Sequence, residues 1–438
     1  MSQRNYLLCV PRPSSGQDPN TAIVVSSALP DHIPPNHVLV KVDKFGFSAN
    51  NVTYQALGEH PHFRYFDFHA VPENSQAEGN GASGSCAKTH GLIPVWGFGL
   101  ILKSTHPKIQ EGERIYGYLA PAQYLLLAVS PNDVNKFAFY VPRPHLPPGK
   151  SNLPYNQILR CSTDPHYTPT PLAEDLTMLY RPLFWTSYWC EDWLSSSQYK
   201  GGNIFAILIS SASSKTAFCL AYLIGKRIKQ GGLNASTKII GLTSKRNTEF
   251  TKGLNLYNEV LDYDSFTNAS SLQSNQGSRF IYVDVAGNSG LNERIKAHFA
   301  SPYTGNVIAT VALGVTNLSP SAQASEYDWD FNRTFDMSSS PVVSGTSPFW
   351  PKVEHFFMPE WLAVRRHQLP VQDIFEGQNR AWKGLMEDCV NWVELERVSG
   401  PEKVKDAYLR VAKEGLGPRK GLVWSMWDEI AVPVKARL

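Results

Sequence analysis

The sequence lacks the features that mark membrane-spanning, disulfide-stabilised and nucleic-acid-binding proteins. No apolar run approaches the roughly 20 residues that a membrane-spanning helix needs. The six cysteines form no CxxC pair, so neither a zinc lobe nor a disulfide framework is expected. A net charge of +3 is too small to indicate the basic surface that binds nucleic acid. The composition, with 42% hydrophobic residues, instead predicts a packed globular core.

The two ends of the chain bear on its localisation. The N-terminal segment MSQRNYLLCVPRPSS has only a short apolar run before a proline and lacks the apolar core of a signal peptide, so we expect a cytoplasmic protein. The last three residues, Ala436-Arg437-Leu438, resemble the peroxisomal Ser-Lys-Leu address, which an import receptor recognises. A chance match explains them equally well, so cytoplasm and peroxisome both stay open.

The sequence pattern changes near residue 172. Before that point, short alternating runs such as PPNHVLVKVDKFGFS (34–48) are separated by Gly and Pro, which predicts a β-rich domain. Residues 72–91 are rich in Gly and Ser and predict a surface insertion. After residue 172, short apolar strands alternate with helical stretches, which predicts an α/β fold with a parallel sheet covered on both faces.

The segment FAILISSASSKTAFCLAYLIG (205–225) has the outline of a strand, a turn and a helix, but its turn contains no glycine. A phosphate-binding P-loop would need glycines where Ile209 and Ser214 stand, so that interpretation is disfavoured. A dinucleotide-binding turn can be built from small residues, with the pyrophosphate on the N–H groups that open the helix. Alternatively, the serines are only helix caps and the lysine is solvated. The last two interpretations stay open.

On the dinucleotide interpretation, the residues that contact the phosphates are Ser211, Ser213, Ser214, Lys215 and Thr216. The next strand ends in GLTSKRN (241–247) and lacks the acidic residue that suits the ribose of NAD. Its hydroxyl groups and cations suit the 2′-phosphate of NADP instead; they belong to Thr243, Ser244, Lys245 and Arg246. An exposed basic turn would look the same, but its position, one strand–helix unit after the serine-rich turn, favours NADPH.

Several strings resemble the medium-chain dehydrogenase/reductase (MDR) superfamily, and within it the zinc-free quinone-oxidoreductase-like branch. They include VLVKVDKFGFSANNVTYQALG, GFGLILKSTHPKIQEGERIYGYL, GLTSKRNTEFTKGLNLYNEVLDYDSF, FIYVDVAG and VIATVALG. A closer resemblance, over SSASSKTA and IPVWGFG, is to a little-characterised family of bacterial and fungal proteins without a settled reaction.

The resemblance implies an architecture and a chemistry. It implies a GroES-like β domain over residues 1–172, a Rossmann domain over 173–345, and a C-terminal segment, 346–438, that completes the first domain. It also implies a cleft for nicotinamide and substrate, and a homodimer. Residues other than zinc ligands occupy the positions near Phe47-Ser48 and Val95–Gly97, so no metal is predicted.

The resemblance also assigns site residues. By its matched position Tyr54 is the proton donor in an NADPH-dependent reduction of an activated C=C or quinone-like carbonyl compound, in secondary metabolism. Asn51 would hold a carbonyl or the nicotinamide ribose, or simply form a turn. Tyr65 and Asp67 are candidates for substrate contact. The ends of the later strands add candidates for cofactor binding, namely Tyr263, Ala286, Gly287, Leu313 and Gly314.

Two other functions stay open. If Lys215 fills the place of the pyrophosphate, the chain would be a non-redox enzyme, such as an isomerase, lyase or cyclase, that has lost its cofactor. The third hypothesis is a non-catalytic binding or structural protein on the same scaffold. The titratable residues crowded into GEHPHFRYFDFHA (58–70) argue against this last hypothesis.

Overall fold

The structure is a computed structural model. It describes residues 4–60, 64–78, 86–145, 155–196, 204–273, 275–313 and 350–428. Contacts divide these residues into two units. Unit 1 comprises residues 4–179 and 394–428, and unit 2 comprises residues 180–393. Each unit is described by itself below.

The strands, in chain order, are β1 (Arg4–Pro11), β2 (Ile23–Ala28), β3 (His37–Phe47), β4 (Gln76–Ala77), β5 (His90–Gly91), β6 (Val95–Ser104), β7 (Arg114–Leu119), β8 (Tyr124–Ala128), β9 (Ala138–Tyr140), β10 (Gln157–Arg160), β11 (Ile204–Ile209), β12 (Lys238–Thr243), β13 (Glu259–Asp262), β14 (Arg279–Asp284), β15 (Asn306–Ala312), β16 (Val353–His355), β17 (Glu394–Ser399) and β18 (Lys420–Ser425). The helices are α1 (Ala49–Ala56), α2 (Pro171–Ser196), α3 (Lys215–Lys229), α4 (Thr248–Gly253), α5 (Ser289–Phe299), α6 (Met358–Gln368), α7 (Val371–Asp388) and α8 (Pro401–Glu414). None of the helices in these ranges combines the length and the apolar character that crossing a membrane requires.

Unit 1 is built on β-sheets. One sheet has the order β4-β2-β1-β5, and a larger one has the order β17-β18-β3-β6-β7-β10-β9, with β8 also pairing with β3. β18 adds to β3 in antiparallel fashion, so the end of the chain completes the sheet that the first third begins. Buried residues of α8, such as Val404 and Tyr408, join the same core as Leu7 and Phe47.

An ion-pair network ties three strands of unit 1 to the start of α2. The Lys44 ammonium lies 2.6 Å from Asp175 Oδ1 and 3.2 Å from Glu174 Oε2. Arg114 of β7 binds both oxygens of Glu174, and Arg397 of β17 binds Asp175 Oδ2 at 2.9 Å from its Nε. Asp175 is only 1% exposed, so its charge depends on these partners.

Unit 2 contains one parallel sheet with the order β13-β12-β11-β14-β15-β16. This is the strand order of the doubly wound dinucleotide-binding fold. Alternate residues of β11 face opposite sides of the sheet: Ile207 and Ile209 pack into the core that includes α3, whereas Ala206 and Leu208 pack into the core that includes α5. Helices therefore cover both faces, as the alternation of strands and helices predicts.

The unit boundaries differ from the predicted domain boundaries. The first lies between residues 179 and 180, inside α2, rather than at 172. Residues 350–393 belong to unit 2, whereas the sequence assigns 346–438 to the first domain. Contacts with α2 explain the difference: the Trp382 ring of α7 packs on Phe184 at 5.7 Å, and Trp361 of α6 donates a hydrogen bond to Asp192.

Three other predictions concern segments that the structure covers in part or not at all. The 72–91 segment is expected to be a surface insertion, but its described residues include β4 and β5, which pair with β2 and β1. Gly314 and the C-terminal tripeptide 436–438 lie outside the described residues. The cofactor role of Gly314 and the peroxisomal role of residues 436–438 stay predictions.

Candidate functional site

In unit 2, the serine-rich turn between β11 and α3 is held by hydrogen bonds to the end of β14. The Ser210 hydroxyl donates to Asp284 Oδ1 at 2.7 Å and accepts from the backbone N–H groups of Val285 and Ala286 at 2.8 and 3.0 Å. This one side chain therefore fixes the spacing between two neighbouring strand ends. It is a residue that the sequence does not single out.

The next two residues bring the turn close to β12. Ser211 adopts a left-handed backbone with φ of 51°, and its N–H donates to the Tyr263 hydroxyl at 3.0 Å. The Ala212 N–H donates to the Leu242 carbonyl at 2.9 Å. A Cβ atom at Gly241 would lie 2.8 Å from the Cβ of Ala212. The glycine that this turn requires is thus on the neighbouring strand rather than in the turn itself.

The first turn of α3 combines a helix N-terminus with partly exposed hydroxyl groups. Ser214 is the N-cap, and its hydroxyl accepts from the Ala217 N–H at 3.4 Å. Ser211, Ser214 and Thr216 are partly exposed, whereas Ser213 is buried. The first-turn N–H groups of a helix have no intrahelical acceptor and favour an anion. No acidic residue occupies this turn.

Ser213 and Thr243, both predicted to bind the cofactor, contact each other. The Ser213 hydroxyl accepts from Thr243 Oγ1 at 3.2 Å and from Asn247 Nδ2 at 3.1 Å. The pair joins the serine-rich turn to the segment that follows β12.

Lys215 lies inside the protein, contrary to the interpretation of a solvated lysine. The side chain is only 8% exposed, and burial lowers its pKa from 10.5 to about 8, with a smaller opposing effect of Cys219. A side chain that filled an open phosphate site would itself be exposed. The exposed edge of the turn is formed by Ser211, Ser214 and Thr216 instead.

The residues after β12 present two cations to solvent. Lys245 and Arg246 are exposed, and the nearby Ser244 hydroxyl is buried without a hydrogen-bond partner in the described part of the chain. Asp262, at the end of the adjacent β13, has a pKa lowered chiefly by its hydrogen bond from Ser265, and Lys245 contributes to the same shift. Lys245 is therefore electrostatically coupled to one carboxylate.

The remaining predicted cofactor residues have structural partners. The N–H groups of Ala286 and Gly287 both donate to Asp284 Oδ1 at 3.1 Å, so only their carbonyl groups remain for a ligand. The Leu313 N–H donates to the Asp284 carbonyl at 2.8 Å. The Tyr263 hydroxyl, as described above, accepts from Ser211. These bonds hold the four residues beside the turn, and their role in cofactor binding stays a prediction.

In unit 1, α1 carries the predicted proton donor. The Tyr54 hydroxyl accepts a hydrogen bond from Asn50 Nδ2 at 2.7 Å, one helical turn away. Asn51 caps the helix instead: its Oδ1 accepts from the Ser48 N–H at 2.8 Å, and its Nδ2 donates to the Pro94 carbonyl at 3.0 Å. Asn51 is buried and committed to these bonds, so the structure favours the turn over a carbonyl contact.

Tyr54 lies in a cluster of aromatic rings. Its ring centroid is 4.2 Å from that of Tyr65 and 6.0 Å from that of Tyr118, and Trp96 lies 5.0 Å from Tyr118. Burial, assisted by Tyr155, raises the pKa of Tyr54, while Tyr118, Asn50 and Trp96 lower it. The net shift is upward, so the phenol stays protonated at neutral pH.

The two candidate residues in the 58–70 segment, Tyr65 and Asp67, lie in different surroundings. Tyr65 joins Tyr54 in the aromatic cluster, and burial raises its pKa as well. Asp67 is exposed, and its carboxylate pairs with Arg64 Nε at 2.6 Å. His69, which faces inward, contacts the Tyr118 carbonyl through Nε2 at 3.0 Å, and burial lowers its pKa to about 3.

Two residues near this cluster, the buried Arg143 and the half-buried His145, are not identified by the sequence analysis. Arg143 lies over the Phe68 ring at 5.0 Å, and the His145 ring meets Phe68 edge-on at 5.0 Å. Both follow β9 in the string VPRPH, which carries no signal of burial. Among the described residues, no group of three His, Cys, Asp or Glu side chains is arranged to hold a metal ion.

One family model matches most of this chain. The family model described as protein of unknown function (DUF2855) matches residues 45–417. The chain belongs to this family. No curated protein matches the sequence. The predicted membership of a family without a settled reaction agrees with this match, whereas the bacterial and fungal distribution and the zinc-free branch stay predictions.

Solved structures share the fold at low sequence identity. Alignment with CurA from Vibrio vulnificus covers 97% of this chain and 99% of that chain, with a TM-score of 0.50 and 12% identity. The complex of CurA with NADPH gives a TM-score of 0.53, 97% and 100% coverage, and 11% identity. Alignment with the CurF ER cyclopropanase of the curacin A biosynthetic pathway covers 96% of this chain and 99% of that chain, with a TM-score of 0.50 and 12% identity. These similarities confirm the predicted fold, a GroES-like β domain with a Rossmann domain.

Proposed function

We propose that the protein is an NADPH-dependent, zinc-free reductase of the MDR type that acts on an activated C=C or carbonyl group of a small molecule. The fold supports a reductase-like scaffold, and one structure with this fold is a complex with NADPH. The observation that carries the proposal is the turn before α3. It combines a helix N-terminus with three partly exposed hydroxyl groups.

The residues of unit 2 fit a dinucleotide. The pyrophosphate would accept hydrogen bonds from the first-turn N–H groups of α3 and from the hydroxyls of Ser211, Ser214 and Thr216. The Ser244 hydroxyl, buried without a partner among the described residues, suits the adenosine ribose or its phosphate. Lys245 and Arg246 supply the positive charge that a 2′-phosphate requires.

Tyr54 would supply the proton. When bound, NADPH supplies a hydride to the electron-poor carbon of the substrate. Because Asn50 donates to the Tyr54 oxygen, the phenolic proton is directed to another acceptor. A substrate carbonyl there would gain a hydrogen bond as negative charge develops on its oxygen, followed by the proton itself. The hydride and the proton together account for the two hydrogens added.

The burial of Lys215 bears on the non-redox alternative. That alternative requires the lysine to occupy the pyrophosphate site, where it would be exposed in a protein without ligand. At 8% exposure the side chain is instead an inner residue of the α3 N-terminus. From that position its positive charge would support a bound phosphate.

A titration with nicotinamide cofactors tests the proposal. We expect NADPH to bind the full chain with micromolar affinity, followed by nicotinamide fluorescence, and NADH to bind more weakly. The double variant Lys245→Ala/Arg246→Ala should weaken NADPH by roughly 10- to 100-fold, or about 1.4–2.8 kcal/mol in total for the two exposed cations, and should leave NADH nearly unchanged. Equal loss of both cofactors would contradict the assignment of these cations.

Control variants distinguish the loss of a specific contact from a general effect of lost charge or altered folding. Lys229→Ala/Lys252→Ala also removes two exposed cations from unit 2 and should not change cofactor preference. In the catalytic test, Tyr54→Phe should slow hydride transfer from NADPH to a quinone or enone by roughly 10²- to 10⁴-fold without changing NADPH affinity. Tyr140→Phe removes a hydroxyl elsewhere in unit 1 and serves as its control. If no cofactor binds the wild-type chain, the reductase proposal fails.

A further inference from the structure

Arg143 is a buried cation whose main hydrogen-bonding edge has no partner among the described residues. The residue is 9% exposed, and its Nη1 donates to the Phe68 carbonyl. The Nε and Nη2 atoms are buried and make no hydrogen bond within the described part of the chain. Burial lowers the pKa of Arg143 only to about 10, so the guanidinium remains charged at neutral pH.

The same edge of other arginines in this protein binds carboxylates. Arg114 uses Nε and Nη2 to hold the two oxygens of Glu174, at 2.6 and 2.8 Å. Arg160 uses the same two atoms to hold Glu113, at 2.7 and 2.6 Å. These parallel bonds match the two oxygens of a carboxylate and give the strongest arginine contacts. Arg143 offers that fork in a buried setting, and no described Asp or Glu forms an ion pair with it.

A second buried polar atom near Arg143 has no described partner and can act as a donor. It is His145 Nε2, which makes no hydrogen bond among the described residues. The Tyr118 hydroxyl and the Trp96 indole N–H lower the pKa of Tyr54 through side-chain hydrogen bonds, so they serve the Tyr54 oxygen. His145 and Tyr118 both meet the Phe68 ring edge-on, at 5.0 and 5.1 Å, and Arg143 lies over that ring. Unsatisfied buried donors are costly, so the free edge of Arg143 and His145 Nε2 beside one ring call for an acceptor-rich ligand.

The positive charge of Arg143 also favours an anionic ligand. A buried guanidinium is stable when an anion pairs with it, since desolvation of an unpaired charge costs several kcal/mol. The acidic side chain that influences His145 is Asp67, which is exposed and already paired with Arg64. Cation–π contact with Phe68 compensates for only part of the lost hydration.

We propose that Arg143, with His145, binds the carboxylate of the substrate, so that the reductase acts on a small organic acid. This inference rests on the proposed function, because it assigns the substrate class of the site that contains Tyr54. The Tyr118 ring contacts both the Phe68 ring beside Arg143 and the proton donor Tyr54, with centroid distances of 5.1 Å and 6.0 Å. The activated C=C or C=O group would therefore lie a few bonds from the carboxylate.

Calorimetric titration of the full chain with crotonate, a short unsaturated carboxylate, tests the inference in the absence of NADPH. Crotonamide, which has the same shape and no charge, is the matched ligand. We expect crotonate to bind in 150 mM NaCl with at least tenfold higher affinity than crotonamide. Arg143→Gln and Arg143→Lys should both weaken crotonate at least tenfold, because lysine keeps the charge but lacks the two-point edge.

Arg64→Gln is the matched control, since it removes a neighbouring exposed cation and should leave crotonate binding within about twofold of wild type. Circular dichroism checks that each variant folds. If Arg143→Gln does not fold, the Arg143→Lys result and the 15N signal of the wild-type Arg143 Nε, which should shift with crotonate and not with crotonamide, decide the question.

Equal binding of the two ligands, or wild-type affinity in Arg143→Lys, would overturn the carboxylate site. The two proposals fail separately. Loss of NADPH binding with intact crotonate binding refutes the reductase alone. NADPH binding without selective crotonate binding refutes the carboxylate site alone.

Discussion

Lys215 begins α3, and its buried ammonium group should lower the stability of the fold at neutral pH. Burial moves its pKa from 10.5 to about 8. Below pH 8 both the folded and the unfolded chain bind this proton, and the full penalty, about 3 kcal/mol from the shift, is present. Between pH 8 and 10.5 only the unfolded chain keeps the proton, so the penalty disappears as pH rises.

Replacing Lys215 by methionine should therefore stabilise the protein. We expect Lys215→Met to raise the free energy of unfolding by up to about 3 kcal/mol at pH 7, and by much less at pH 10, in urea titrations at the two pH values. Lys229→Met, at an exposed position of the same helix, should show no such pH dependence. A loss of stability that is the same at both pH values would mean that interactions of the buried lysine outweigh its desolvation. Weaker NADPH binding in Lys215→Met would show why the lysine is kept.

Single residues differ in how far the sequence reveals them. Tyr54 is identified by its position in a segment that resembles a known superfamily, and the structure adds Asn50 as its hydrogen-bond donor. Asn51 looks equally suited to bind a ligand, but its partners are Ser48 and the carbonyl of Pro94, which is 43 positions away. Arg143 gives no sequence signal, because its burial depends on Phe68, 75 positions away.

The strand–turn–helix unit around Ser210 depends on a close approach that a glycine elsewhere permits. Gly241→Ala would place a methyl group 2.8 Å from the Ala212 Cβ and 2.9 Å from Tyr257 Cδ1. Neither neighbour can move easily, because the Tyr257 hydroxyl donates a hydrogen bond to the Ala212 carbonyl. We therefore expect Gly241→Ala to lose about 1–3 kcal/mol of stability and to displace the turn. NADPH affinity should fall with it.

Thermal unfolding and cofactor titration of the same samples check this prediction. Gly253→Ala is the matched variant, because nothing lies within 4 Å of the added methyl group and the residue ends a helix. It should be neutral or slightly stabilising. Wild-type stability and affinity in Gly241→Ala would show that the turn adapts and that the close approach is unimportant.

Elements with a strong apolar period are predicted well, and the bonds between them are not. The runs FAILIS and FIYVDVAG cover all but the first residue of β11 and β14, as their composition predicts. Strand order and register determine that Ser210 joins the ends of these strands. They also determine that the N–H groups of Ala286 and Gly287 donate to Asp284. A linear pattern does not contain that information.

Within unit 1, the network around Asp175 joins the end of the chain to its first third. Asp175→Asn should leave Lys44 and Arg397 without their shared carboxylate charge. We expect a loss of about 2 kcal/mol, less than for a fully buried pair because the Arg397 side chain is half exposed. Glu394→Gln, which breaks only exposed pairs, should change stability by less than about 0.5 kcal/mol.

Hydrogen exchange followed by mass spectrometry suits a chain with two units, for which a single unfolding transition is not assured. Peptides that cover β17 and β18 should exchange faster in Asp175→Asn than in wild type, while peptides that cover β11 and β14 of unit 2 should not change. Uniformly faster exchange in both units would contradict a local role for the network.

The domain layout shows where local patterns stop being informative. The change from strand-rich to alternating sequence near residue 172 gives the first boundary to within a few residues of 179. The second boundary, at 394, is missed because the helices of residues 350–393 look alike whichever unit they join. Contacts such as those of Trp361 and Trp382 with α2 assign them to unit 2.

The absence of glycine from the serine-rich turn has a consequence for the thermodynamics of binding. A glycine-rich loop reaches its bound shape by sampling many conformations and loses that freedom when a ligand orders it. Here the Ser210 and Ser211 bonds to Asp284 and Tyr263 set the backbone in advance. A phosphate ligand would therefore meet a turn already ordered, and little of its binding energy would be spent on conformational entropy.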